Sequence, residues 1–273
     1  MSPEKTSAAT RFLERRIDIN APVEAVWKAL TDAEELTRWF PPEARVTPGA
    51  GGSLLWSWAE DIQWPSQIEI WEPNQRLRTT YTKPPGRDLA PAEPMVMDFH
   101  LESHGGKTVL RIVHSGFRAG ADWNEEYDGV GRGWTMELRS LRHYMENHRG
   151  TPRRVAWSWV PLAVSYEESW RRLMSPNGLL REGSLDGLRE GDRYALTAAT
   201  GDQLKGVVLL CHPPHGFSGT VEGMNNALFF VLLDKCRGPE VWVWLATYGV
   251  PQPEVDAFRG RWSGLLAGLF PGS

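Results

Sequence analysis

Short runs in which hydrophobic and polar residues alternate fill most of this chain, and each half closes with a longer run of helical spacing. Leu54, Trp56 and Trp58 share one side of a period-two run, which is typical of a half-buried strand. Other runs of this kind include Ile17–Ile19, Leu77–Tyr81, Met95–Leu101 and Leu110–His114. One helical face carries Trp134, Leu138, Leu141 and Met145. The first half therefore predicts a meander of hairpins followed by a long helix.

The second half repeats this order. Val155, Trp157 and Trp159 alternate as in a strand, and strand-like runs follow at 207–210, 228–233 and 241–245. A closing helical face contains Val255, Phe258, Trp262, Leu266 and Leu269, so that Trp262 corresponds to Trp134. The pattern predicts an α+β fold class with two tandem domains, each a curved antiparallel sheet and a long C-terminal helix.

Glycine, proline and capping residues indicate where domains, loops and helices are expected to begin and end. Gly150, Pro152 and the charges around them indicate a domain boundary, so we assign residues 1–10 to a disordered N-terminus, 11–150 to a first domain and 151–273 to a second. Residues 83–94 are rich in proline and charge, which predicts an exposed loop. Helix starts are expected at two capping boxes, Thr31 with Glu34 and Ser165 with Glu168.

Composition narrows the classes of protein. With 273 residues, 41% hydrophobic residues and a net charge of -4, the chain can bury a core and has no basic footprint for nucleic acid. It has no signal region and no apolar stretch of bilayer length, and two cysteines are too few for a disulfide scaffold. We therefore expect a cytoplasmic protein. The 14 tryptophans fit either a wide core or an aromatic-lined cavity.

Three separated motifs carry a family resemblance. They are INAPVEAVWKALTDAEELTRWF at 19–40, TVLRIVHSGF at 108–117 and GWTMELRSLRHYMENH at 133–148. The segment 11–150 resembles the activator-of-heat-shock-ATPase-like branch of the START-like (SRPBCC) superfamily, and the second half is similar to a degenerate second copy. The resemblance implies the helix-grip fold, in which the sheet wraps around the closing helix and a cavity lies between them. The superfamily contains lipid and polyketide carriers, cyclases, oxygenase domains and chaperone co-factors, so fold alone does not select a function.

Six side chains are candidates for lining that cavity. Ligand sites are mostly apolar with a few polar anchors, and the predicted set is Trp56, Trp58, Tyr81, Phe99, His114 and Trp134. Tyr81 and His114 would supply the polar anchors. The alternative for both is a core position with its polar atoms satisfied. No catalytic residue and no cofactor is assigned.

Other clusters have simpler interpretations. Asp98 and His100 could touch one ligand but fit a solvated sheet face. Soft metal ligands cluster at Cys211, His212 and His215, with Cys236 distant, and we predict no metal because zinc needs a fourth ligand at a suitable spacing. The glycines at 129, 131 and 133 are expected to form a flexible entry to the closing helix.

Three hypotheses follow. The first is a binding module for a small hydrophobic or aromatic molecule. The second is an enzyme of the polyketide cyclase or hydrolase type, with His114 as acid or base. The third is a protein-interaction role, as a chaperone co-factor or a homodimer. Neither a nucleic acid nor a membrane is an expected partner.

Overall fold

The computed structural model describes residues 10–60, 62–82, 94–235 and 238–271. The N-terminal tail up to residue 9, most of the predicted loop at 83–94, and Cys236 lie outside these ranges. Thr10, which the sequence assigned to the disordered tail, is instead the first residue of a strand. The chain divides into two compact units, Met1–Gly150 and Thr151–Ser273.

In its described residues the first unit has a seven-stranded sheet and three α-helices, the last of which continues into a π-helical turn at Tyr144–His148. Its strands are β1 (Thr10–Ile19), β2 (Glu43–Thr47), β3 (Ser53–Ala59), β4 (Ile62–Glu72), β5 (Arg76–Tyr81), β6 (Met95–His104) and β7 (Lys107–Arg118). The neighbour order is β1-β7-β6-β5-β4-β3-β2, and every pair is antiparallel. Helices α1 (Val23–Thr31) and α2 (Ala33–Thr37) connect β1 to β2, and α3 (Asn124–His143) follows β7 after a 3₁₀ turn at Ala121–Trp123.

The second unit has the same topology. Its strands are β8 (Arg153–Pro161), β9 (Leu180–Glu182), β10 (Arg193–Ala198), β11 (Gln203–His212), β12 (Gly216–Val221), β13 (Ala227–Lys235) and β14 (Pro239–Tyr248). Their order, β8-β14-β13-β12-β11-β10-β9, repeats that of the first sheet. Helix α4 (Tyr166–Leu173) connects β8 to β9, and α5 (Gln252–Leu269) closes the unit. The prediction of tandem helix-grip domains is confirmed.

The inner face of the first sheet is continuous because side chains at the same level point to the same side of paired strands. Tyr81 pairs with Met95, Met97 pairs with His114, and His114 pairs with Leu13. All five of these side chains are buried. Helix α3 covers this face through Trp134, whose ring lies 5.6 Å from Phe99.

A bulge in β7 adds an aromatic ring to the inner face. The register between β1 and β7 skips Gly116, which has a φ of 101°. Such a backbone conformation favours glycine, and a Cβ there would lie 3.0 Å from the Met95 backbone. Because the bulge adds one residue, both His114 and Phe117 are fully buried, with ring centroids 4.9 Å apart.

The first residues of α2 and α4 test the two capping boxes predicted from the sequence. Ser165 caps α4 by accepting a hydrogen bond from the Glu168 backbone N–H, as predicted. The prediction at Thr31 is wrong by one residue, since Asp32 caps α2 and accepts from the Glu35 N–H. The Thr31 hydroxyl instead donates to the Trp27 carbonyl within α1.

The glycines before Trp134 are not a flexible entry, contrary to the sequence prediction. They lie inside α3, which begins at Asn124. The carbonyl of Gly131 accepts hydrogen bonds from Arg15 and Thr135, and a Cβ at Gly131 would lie 3.0 Å from the Arg15 guanidinium. The absence of a side chain there lets a strand residue reach the helix backbone. No helix in the described ranges is both long and apolar enough to cross a bilayer.

Candidate functional site

The structure brings the six predicted site residues into one aromatic cluster in the first unit. Trp134 on α3 is central: its ring centroid lies 6.2 Å from that of Trp56 on β3, 5.6 Å from Phe99 on β6 and 6.3 Å from His114 on β7. Tyr81 on β5 lies 5.7 Å from His114. Trp58 is half-buried and reaches the cluster through Phe40, which contacts both Trp58 and Trp134.

Three of these residues form a hydrogen-bonded chain. Trp134 Nε1 lies 3.0 Å from His114 Nδ1, and His114 Nε2 lies 2.7 Å from the Tyr81 hydroxyl oxygen. An indole N–H can only donate, so Nδ1 must be the acceptor and the proton of the neutral imidazole lies on Nε2. His114 therefore donates to Tyr81. The phenol hydrogen of Tyr81 is left to donate elsewhere, and it makes no hydrogen bond to any residue that the structure describes.

Burial keeps the side chains of this hydrogen-bonded group uncharged. The His114 side chain is completely buried, which lowers its pKa to about 3 because the charged form loses its hydration. Burial also raises the pKa of Tyr81 well above its ordinary value, and the nearby carboxylate of Glu126 raises it further. At neutral pH the imidazole is uncharged and the phenol is protonated. His114 is therefore a neutral hydrogen-bond donor to Tyr81 in this structure.

Replacing Trp134 with Phe tests the assignment of the tautomer. The change removes the indole N–H that holds Nδ1 as an acceptor but keeps an aromatic ring, so we expect the pure Nε2–H form to give way to a mixture of tautomers. The ¹⁵N shifts of the two His114 ring nitrogens report this directly. If the wild-type shifts already showed a proton on Nδ1, the assigned direction of both hydrogen bonds would be wrong.

Further buried hydrogen-bond donors lie around Trp134, His114 and Tyr81. The indole nitrogens of Trp56 and Trp64 are shielded from solvent and make no hydrogen bond to any described residue, and the same holds for the Thr79 hydroxyl. Trp56 and Trp64 are direct cross-strand partners, with ring centroids 6.4 Å apart, and Trp64 lies 5.1 Å from Tyr81. A buried polar group that lacks a partner costs about 1–3 kcal/mol. The inner face therefore carries several costly donors in one place.

The predicted set did not include Trp64, Thr79 or Glu126, which the structure places near Tyr81. Pro65 concealed Trp64, because a proline argues against a central strand, yet Pro65 lies in β4 opposite Leu55. The alternation of Ile62, Trp64, Ser66 and Ile68 was the available signal. Nothing in the local pattern marks Glu126, which lies in the polar first turns of α3 and is buried only by tertiary packing.

The remaining candidate residues make local contacts. Asp98 is an ion-pair partner of Arg76, which binds both carboxylate oxygens, and it contacts His100 at 3.2 Å. His212 is exposed, and Cys211 contacts the Leu185 carbonyl. Among the described residues no group of three or more potential metal ligands comes together.

The second unit differs in the core at the corresponding place. Trp262 on α5, the counterpart of Trp134, donates to Asp202 at 2.8 Å, and Tyr194 donates to the Thr220 carbonyl at 2.7 Å. Its sheet core is lined with aliphatic and phenyl side chains such as Val231, Leu245 and Phe229. Among the described residues, the cluster around Trp134 has no counterpart at this place in the second unit, which buries the unbonded indole nitrogen of Trp157 on β8 instead.

The sequence of the first unit matches a known family. Residues 20–146 fit the family described as Activator of Hsp90 ATPase homolog 1-like protein. The first unit belongs to this family. No curated protein matches the chain at a significant level.

Solved structures give further similarities. Protein MLL2253 from Mesorhizobium loti is 26% identical, with 50% of this chain and 98% of that chain covered and a TM-score of 0.44. The Aha1 dimer from Colwellia psychrerythraea is 20% identical over 51% of this chain and 99% of its own, with a TM-score of 0.43. The di-domain ARO/CYC BexL from the BE-7585A biosynthetic pathway is 15% identical, covers 95% of this chain and 97% of its own, and has a TM-score of 0.43.

Proposed function

We propose that the first unit binds a small, largely apolar or aromatic molecule between the inner face of its sheet and helix α3. The observation that carries this proposal is the group of buried donors on Trp56, Trp64 and Tyr81, whose N–H and O–H groups donate no hydrogen bond to any described residue. A protein core normally satisfies such groups. A ligand that contacts the surrounding rings and offers acceptor atoms would remove their energetic cost.

The state of His114 favours binding over acid–base catalysis. Both ring nitrogens are engaged, one as acceptor from Trp134 and one as donor to Tyr81. With a pKa of about 3, the ring stays neutral at the pH at which a general acid or base would have to exchange a proton. A cyclase mechanism that uses His114 as acid or base would first have to break its hydrogen bonds to Trp134 and Tyr81.

The surface gives weaker support to a protein-interaction role. The exposed large hydrophobic side chains of the described residues are Phe12, Trp159 and Val164. Single exposed hydrophobic residues are common on soluble proteins and do not form an interface by themselves. The ligand hypothesis therefore has the more specific observation behind it.

A dye titration tests the proposed function. We expect N-phenyl-1-naphthylamine, an uncharged aromatic dye, to gain fluorescence on binding and to slow hydrogen exchange in β3, β5, β7 and α3. Thr79→Leu adds volume to the inner face and should weaken binding at least about tenfold, because overpacking costs about 1–3 kcal/mol. Thr80→Leu, on the opposite face of β5, is the matched control.

Two results would refute the proposal. One is slower exchange confined to the second unit on addition of the dye. The other is an equal loss of affinity in Thr79→Leu and Thr80→Leu. Native mass spectrometry of the purified protein, followed by a denaturing run, would in addition identify any molecule that copurifies.

A further inference from the structure

We infer that the site selects uncharged molecules that carry an oxygen acceptor, such as a carbonyl or ether, over hydrocarbons, amines and carboxylates; this rests on the proposed function. The argument depends on which atoms of the cluster remain available. Trp56 and Trp64 each offer an indole N–H, which cannot accept. Tyr81 could in principle both donate and accept, but its oxygen already accepts from His114.

The direction of the hydrogen-bonded chain is what makes Tyr81 a donor. Because Trp134 occupies Nδ1 of His114, the imidazole proton is held on Nε2 and points at the phenol oxygen. The phenol hydrogen must then point away from the ring of His114. Tyr81 is 4% exposed, so bulk solvent has little access to its hydroxyl. A ligand oxygen is the partner that this geometry fits.

The charges around the site disfavour ionic ligands. His114 is neutral, and the buried carboxylate of Glu126 lies close enough to raise the pKa of Tyr81, so it would repel an anion. Arg15, a cation on the inner face, already donates to Thr135 Oγ1 and to the carbonyls of Gly131 and Glu14. An ammonium group would meet only donors on Trp56, Trp64 and Tyr81; Glu126 would attract it, but that attraction is opposed by the hydration that a buried charge loses.

Four probe molecules that share one bicyclic ring system test the inference. The probes are tetralin, 1-tetralone, 1-aminotetralin and tetrahydronaphthalene-1-carboxylate, and their affinities are measured by calorimetry or ligand-observed NMR. We expect Tyr81→Phe to weaken binding of 1-tetralone about tenfold and to leave tetralin unchanged, because only the ketone accepts the hydrogen bond that the variant lacks. The amine and the carboxylate should bind at least about tenfold more weakly than the ketone, because charged groups lose more hydration on burial.

Tyr194→Phe is the matched control. It removes a buried tyrosine hydroxyl from the second unit, where that hydroxyl donates to the Thr220 carbonyl. We expect it to leave the affinity for 1-tetralone unchanged. An equal loss in both variants would contradict a specific contact between Tyr81 and the ketone.

Infrared spectroscopy on the wild-type protein gives a second readout that does not depend on a variant that folds. The carbonyl band of bound 1-tetralone should lie at a lower wavenumber than in a hydrocarbon solvent, as expected for a hydrogen-bonded carbonyl. If the band stays at its hydrocarbon position, or if tetralin and 1-tetralone respond equally to Tyr81→Phe, the selectivity is refuted while ligand binding stands. Tighter binding of the amine would point to Glu126 instead and would also refute it. If none of the four probes binds, the proposed function itself fails.

Discussion

Acidification from pH 7.5 to pH 5 is expected to lower the free energy of unfolding of the first unit by about 2 kcal/mol more in the wild type than in a His114→Leu variant. Burial lowers the pKa of His114 from 6.5 to about 3 in the folded protein. Between these values the unfolded chain binds a proton at this position and the folded chain does not. The stabilisation is complete above pH 6.5 and is lost as the pH falls toward 3.

Urea unfolding at a series of pH values measures this effect, with hydrogen exchange of β7 and α3 assigning it to the first unit. His114→Leu should be less stable than the wild type at pH 7.5, because Trp134 and Tyr81 lose their partner, but its pH dependence should be shallower. His212→Leu, at an exposed position in the second unit, should keep the wild-type slope. Equal slopes for wild type and His114→Leu would show that His114 is not buried in its neutral form.

Asp202→Ala should destabilise the second unit by about 3 kcal/mol, since hydrogen bonds to charged groups contribute about 1.5–3 kcal/mol each and several are lost together. Asp202 precedes β11 and accepts from Trp262 on α5, from Arg261 and from Thr200. Burial alone would raise the pKa of this carboxyl, but the hydrogen bonds from Arg261, Thr200 and Trp262 outweigh it and lower the pKa. This carboxylate therefore fastens the closing helix to the β10–β11 turn.

Hydrogen exchange should show the loss in β10, β11 and α5, with α3 of the first unit as an internal reference. Asp256→Ala is the matched control on the same helix: Asp256 is exposed and pairs with Arg259 across one turn, so its removal should change stability by less than about 0.5 kcal/mol. Asp202→Asn keeps one oxygen acceptor and should lie between wild type and Asp202→Ala. Equal effects of Asp202→Ala and Asp256→Ala would contradict the structural role of Asp202.

Local patterns decided the architecture of both units. A strand buries alternate residues and a helix buries every third or fourth, so the spacing of Leu54, Trp56 and Trp58, or of Trp134 and Leu138, already fixes the element and its buried side. The Ser165 cap follows from the same short-range logic, because a side-chain oxygen reaches only nearby backbone N–H groups. These features depend on neighbours within a few residues, which the sequence displays.

Tertiary structure alone decided the chemistry of the site. Tyr81, His114 and Trp134 come from β5, β7 and α3, and only their meeting fixes the tautomer of His114 and turns Tyr81 into a donor. Trp64 joins them because β4 continues through Pro65, against the local preference of proline. The burial of Glu126 likewise comes from packing and not from the polar stretch around it. Hydrogen-bond direction and pKa depend on distances between residues remote in sequence, so spacing along the chain determined the fold but not the charge and donor pattern within it.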